Sequence, residues 1–164
     1  MRVIDFFDRG ALLYPKRAFM ISENGHETTY RETQIKSHRI ALAMHSVGFE
    51  YKQNAAIYSP NHPGAFESLL GLYRAGGVWV PLNARNAIKE NCFILNHNDA
   101  EFLFYHSSFE ENVHVIKNEC PGIKNFVCLD KVVSDDPSLD DFILNHHGEV
   151  EPYPDDPSDI CGIF

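Results

Sequence analysis

A strand–helix–strand unit with tight joints limits this chain more than any other feature. Asn54-Ala55-Ala56-Ile57-Tyr58-Ser59 reads as a buried strand, and Pro60-Asn61-His62-Pro63-Gly64 then turns the chain. Phe66, Leu69, Leu70 and Tyr73 follow at helical spacing, and Pro63 suits the first helical turn, where a missing N–H is no loss. Gly76-Gly77 ends that helix and Val78-Trp79-Val80 starts a fresh strand. Two strands joined through a helix by short connections form a parallel crossover unit.

The same alternation runs along the chain. Arg17–Ile21 reads as a strand, Glu23-Asn24-Gly25-His26 as its turn and His26–Thr29 as a short return strand. Thr29 and Glu32 have the spacing of a capping box, in which each side chain satisfies an orphan amide at a helix start. The helix behind it is expected to bury Ile40, Ala43, Met44 and Val47, leave Arg31, Lys36 and Arg39 to solvent, and stop at Gly48. Further helices are expected over Ala87–Asn96, Glu111–Asn118 and Leu139–Asn145, and further strands over Glu101–Tyr105, Asn125–Leu129 and Asp159–Phe164. The fold class is therefore α/β, a largely parallel sheet flanked by helices. Such a sheet binds ligands beyond the carboxyl ends of its strands, so a chain ending at Phe164 looks cut where a functional loop begins.

Composition removes several functions. With 14 Lys and Arg against 23 Asp and Glu, the formal charge is −9, and no basic stripe suits a nucleic-acid backbone. No apolar run approaches the roughly 20 residues that span a bilayer, and Asp5 interrupts the stretch a signal peptide needs, so the expected compartment is cytoplasmic. Cys92, Cys120, Cys128 and Cys161 lack the spacing of a zinc or redox motif and read as small buried groups.

Active-site chemistry is sparse. Gly76-Gly77 is not followed by the Lys-Ser/Thr of a phosphate loop, and there is neither a G-x-G-x-x-G nor a G-x-S-x-G. His62 lies at the carboxyl edge in a strand-to-helix turn, where capping or packing is favoured over catalysis. His146-His147 with Asp140 and Asp141 reads as a solvated helix end rather than a metal site. Asp135-Asp136 and Asp155-Asp156, each followed by proline, read as solvated loop charges, and Trp79 reads as core. The residues alone assign no catalytic and no metal-binding group.

Ala56-Ile57-Tyr58-Ser59-Pro60-Asn61-His62-Pro63, followed by Leu69-Leu70-Gly71-Leu72-Tyr73-Arg74-Ala75-Gly76-Gly77-Val78-Trp79-Val80-Pro81-Leu82-Asn83, resembles the N-terminal region of adenylate-forming enzymes. Members of that superfamily include acyl-CoA synthetases and the adenylation domains of peptide synthetases. Thr29-Tyr30-Arg31-Glu32 with His38-Arg39-Ile40-Ala41 is similar to the family's early helix, and Ser158–Phe164 to the lead-in to its phosphate loop.

The resemblance implies that residues 1–164 are part of the large N-terminal domain, truncated before that loop. It implies a complete enzyme that uses ATP, Mg²⁺ and CoA to activate a carboxylic acid, a fatty acid first of all, and transfer it to CoA. The fragment alone is expected to be inactive and to bind none of these. By the resemblance, Gly76, Gly77 and Asn83 have scaffold roles, and Arg85 is the one cofactor-binding candidate, toward a phosphate of CoA. Two alternatives are an adenylation domain that loads a carrier protein and a free-standing, non-enzymatic α/β interaction module. An unpaired sheet edge could also make a homodimer.

Overall fold

The computed structural model describes residues 1–163. α1 (Val3–Leu13) leads into a separate antiparallel hairpin of β1 (Ala18–Ile21) and β2 (Glu27–Thr29). α2 (Tyr30–Ser46), β3 (Asn54–Tyr58), α3 (Pro63–Arg74), β4 (Val78–Pro81) and α4 (Ile88–His97) come next. β5 (Ala100–Tyr105), α5 (Glu110–Glu119), β6 (Asn125–Cys128) and α6 (Leu139–Ile143) complete the alternation. Strands β3 to β6 form one parallel sheet in the order β4-β3-β5-β6.

The side-chain period of two along each strand sends alternate residues to opposite faces. Ala55, Ile57, Phe102 and Phe104 pack against Ile40 and Met44 of α2, Leu72 of α3 and Ile143 of α6. Ala56, Tyr58, Leu103 and Tyr105 pack instead against Cys92 and Leu95 of α4 and Val113 and Ile116 of α5. The result is three layers, with both sheet faces covered as a parallel sheet requires.

Local signals act where the sequence put them. Thr29 Oγ1 accepts from Glu32 N at 3.2 Å and Glu32 Oε2 accepts from Thr29 N at 2.8 Å, which starts α2. Gly48 and Gly76 carry φ of +86° and +74°, the left-handed conformation that terminates α2 and α3. Gly71 lets α3 lie on α2: a Cβ there would stand 2.3 Å from Ile40 Cγ2.

Several expectations fail for identifiable reasons. Val47 is exposed because α2 ends at Ser46, and Phe49 takes the buried place beyond the turn. Phe66, Leu69, Leu70 and Tyr73 do not share one environment: Leu69 packs against the main core, Leu70 and Tyr73 join Ile4 and Phe7 of α1 in a satellite cluster, and Phe66 is 46% exposed. The sheet-facing side of α3 is Leu69, Leu72 and Ala75. Lys36 and Arg39 are not left to solvent: Lys36 pairs with Glu67 at 2.8 Å, and Arg39 donates to the carbonyls of Ile143 and His146 at 2.9 Å.

Asp159–Phe164 is not a strand among the described residues. It makes one parallel bridge, Gly162 against Trp79, and Phe164 lies outside those residues. Trp79 is only partly buried, against the main core. Cys92, Cys120 and Cys128 are buried as expected, but Cys161 is exposed, lying outside the regular strands and helices. Burial and the neighbouring Cys92 push the Cys120 thiol up to about 12.

Candidate functional site at the carboxyl edge

β3 has β4 on one side and β5 on the other, so the connections leaving the carboxyl ends of β3 and β5 diverge. Such a switch point opens a crevice in α/β sheets. The residues just past each strand build its rim.

After β3, His62 is the N-cap of α3, with Pro63 at the first helical position. Its Nδ1 accepts from Gly64 N at 3.1 Å, so the neutral ring carries its proton on Nε2. A Cβ at Gly64 would lie 3.0 Å from that nitrogen, so a glycine there makes room for the ring. After β5, His106 repeats the device: its Nδ1 accepts from Ser108 N at 3.1 Å and starts a 3₁₀ turn at Ser107–Phe109. The two imidazoles meet edge to face with centroids 5.1 Å apart. Burial, then the adjacent His106, hold the His62 pKa below the ordinary histidine value.

After β6, Asp130 accepts from Ser107 N at 2.9 Å and from Ser107 Oγ at 2.6 Å. Burial raises its pKa, but these donors outweigh burial and hold the carboxyl below its usual range. His106 Nε2 stands 3.7 Å from Asp130 Oδ2, beyond a hydrogen bond. Ser108 Oγ is 2.9 Å from His106 Nδ1, the nitrogen already engaged by the Ser108 amide. Ser108, His106 and Asp130 are therefore a set of turn caps rather than an activated nucleophile with its base.

After β4, Asn83 Oδ1 accepts from Arg85 N at 2.9 Å, and Asn83 O accepts from Asn91 Nδ2 at 3.3 Å. This fixes the loop and leaves Arg85 exposed, its guanidinium without an ion pair or hydrogen bond among the described residues. No glycine loop to cradle a triphosphate is present, and among the described residues no group of three or more His, Cys, Asp or Glu side chains is placed to hold a metal ion.

The remaining predicted groups lie elsewhere. His146 Nε2 is 3.4 Å from Ser46 Oγ at the end of α2, away from the carboxyl edge. Asp155 pairs with the N-terminal ammonium, and Asp156 accepts from Ser158 N at 2.9 Å. Asp136 corrects the reading of Asp135-Asp136 as solvated: it is only 7% exposed and accepts from Tyr105 Oη and Lys117 Nζ, each at 2.7 Å. It ties the loop after β6 to the sheet. His106, Ser107 and Asp130 were missed from the sequence, although each stands within two residues of a strand's carboxyl end.

The family profile described as "AMP-binding enzyme" matches residues 7–164. A crotonobetaine/carnitine–CoA ligase of Proteus mirabilis is 26% identical over 156 residues, covering 86% of this chain and 30% of the relative. A long-chain-fatty-acid–CoA ligase of Thermus thermophilus is 25% identical over 130 residues, covering 77% of this chain and 24% of the relative. Among solved structures, an anthranilate CoA ligase in complex with anthranoyl-AMP superposes with a TM-score of 0.91 at 18% identity, over 99% of this chain and 30% of that one. A benzoate CoA ligase from Burkholderia xenovorans gives 0.86 at 18% identity, over 99% and 32%. The chain thus spans less than a third of the length of these proteins.

Proposed function

Because this chain belongs to the AMP-binding enzyme family, we propose that the complete protein is an acid–thiol ligase that activates a carboxylic acid with ATP and transfers it to CoA. The profile match across residues 7–164 carries this reading. In the first step a carboxylate oxygen bonds to the α-phosphorus of ATP and pyrophosphate leaves. In the second, the CoA sulfur, having lost its proton, bonds to the acyl carbon and AMP leaves with the electron pair of the broken C–O bond. Relatives named as CoA ligases favour CoA over a carrier protein as the acceptor. A fatty acid is the proposed substrate class, supported by the Thermus thermophilus relative.

Residues 1–164 have scaffold roles in this reading. Gly76 and Gly77 shape the entry to β4: a Cβ on Gly77 would stand 2.3 Å from Leu72 Cδ1 and 2.8 Å from the Phe49 ring. Neutralising phosphate charge needs fixed donors and cations, and of these the carboxyl edge offers Arg85. Its guanidinium is proposed to contact a phosphate of CoA, and the phosphate loop and Mg²⁺ site are proposed to follow Phe164. Residues 1–164 alone are then inactive, in a cytoplasmic enzyme.

Arg85→Glu in the complete protein tests the assignment. An apparent KM for CoA raised at least tenfold, with KM for ATP unchanged, is expected. An unchanged KM for CoA rejects the role of Arg85. Absence of acid-dependent AMP release from the wild type rejects the ligase reading itself.

A further inference from the structure

At the opposite, amino edge of the sheet lies a cavity of about 920 Å³, a volume typical of ligand sites. It is walled by α1, by α2, by the turns that precede β3 and β4, and by a strap over residues 149–161. The strap is tied down at several points. Tyr153 stacks on Tyr51 with centroids 4.5 Å apart, its hydroxyl is 2.9 Å from His45 Nε2, and its carbonyl accepts from Arg2 at 2.7 Å.

The polar floor of this cavity is closed upon itself. Arg31 donates to Gln34 at 2.9 Å and Gln34 to Asp8 at 2.8 Å, while Arg74 grips Asp8 at 2.6 and 3.0 Å and Ser37 at 2.9 Å. Besides the exposed Arg31, a buried side chain there keeps a donor without a partner. His38 lines the cavity, is only 8% exposed, and accepts from Val150 N through Nδ1 at 3.0 Å. That bond places the proton of the neutral ring on Nε2, which no polar atom of the described residues reaches. Burial, then Arg74, hold the ring neutral by lowering its pKa against the opposing pull of Glu149 and Asp8.

The surrounding wall is apolar, with Ile4, Ala11, Leu12, Tyr73 and Ile160 among its members. Three of its cations are already matched, Arg74 by Asp8, Arg2 by Asp5 and Lys52 by Asp159, while Arg31 is solvent-exposed and donates to the neutral Gln34. A carboxylate entering here would lose its water and meet Asp8 and Glu149, and the cation not already ion-paired, Arg31, is solvent-exposed and offsets little of that cost. We propose that this cavity binds an uncharged amphipathic small molecule whose carbonyl oxygen accepts from His38 Nε2–H while its hydrocarbon body lies along α1. The site is separate from Arg85 and His62 and does not depend on the ligase reading.

The test is calorimetric titration of octanamide and sodium octanoate into the chain and into two variants. His38→Leu removes the donor. Leu12→Trp fills the mouth from an 81% exposed position and leaves His38 and the strap tether in place. The expected results are saturable 1:1 binding of octanamide with octanoate at least tenfold weaker, and at least tenfold weaker octanamide binding in both variants. In the wild type, the His38 side-chain N–H resonance should move with octanamide. Absence of saturable binding, octanoate binding as tightly as octanamide, or wild-type affinity in Leu12→Trp would each overturn the proposal.

Discussion

Asp8→Ala should destabilise the protein far beyond what one charge near the surface would suggest. Arg74 is only 8% exposed in its side chain, and Asp8, 30% exposed, takes both of its terminal nitrogens. Removing the carboxylate strands a buried guanidinium with Ser37 as its remaining partner. Breaking a fully buried pair costs ~3–5 kcal/mol, and the partial exposure of Asp8 sets the expectation near the lower bound, about 3 kcal/mol. In a domain of this size, that corresponds to a melting temperature lower by roughly 6–12 °C. Asp8→Leu combined with Arg74→Met, which replaces the pair by apolar groups, should recover to within about 1 kcal/mol of the wild type. Urea unfolding followed by circular dichroism measures all of these on one scale. A change below 0.5 kcal/mol in Asp8→Ala, or a double variant no better than the sum of its singles, refutes the view that this pair locks α1 onto α2 and α3.

Three other outcomes follow from the same geometry. Gly71→Ala gains about 1 kcal/mol of helix propensity but drives a methyl into Ile40, so a net loss of about 1–2 kcal/mol is expected in the same urea assay; a more stable variant contradicts the close helix contact. The imidazoles of His38 and His62 sit below their ordinary pKa when folded, so the unfolded chain takes up their protons first. Stability from these groups is therefore held above about pH 6.5 and lost as pH falls through the folded values, and urea midpoints should drop from pH 7.5 to 5.5; a rise would invert the argument. Iodoacetamide on the native protein should label Cys161 first, by peptide mass mapping, with Cys92, Cys120 and Cys128 protected; equal labelling of all four contradicts their burial.

Features carried by local chemistry were legible in the sequence: the Thr29–Glu32 capping box, Gly48 and Gly76 as helix stops, Pro63 at the start of α3, and the parallel alternation of strands. What depends on distant partners was not. The helical spacing of Phe66, Leu69, Leu70 and Tyr73 marks α3, but it does not show that Leu70 and Tyr73 meet α1 while Leu69 meets the main core, and α1 itself is signalled only by the spacing of Ile4, Phe7 and Ala11. Asp136 looked solvated because nothing local to Asp135-Asp136-Pro137 shows that Tyr105 and Lys117 converge on it. His62 was singled out as a cap from its turn, whereas His106 and Asp130 gain meaning only once the sheet order brings three strand ends together.

The central claim is best tested by assaying the complete protein with ATP, Mg²⁺, CoA and a panel of carboxylic acids from acetate to palmitate, with and without aromatic members. AMP and pyrophosphate formed in equal amounts, dependent on both acid and CoA and strongest with a fatty acid, are the predicted result. ATP turnover that ignores the acid, or none with any member of the panel, would contradict it.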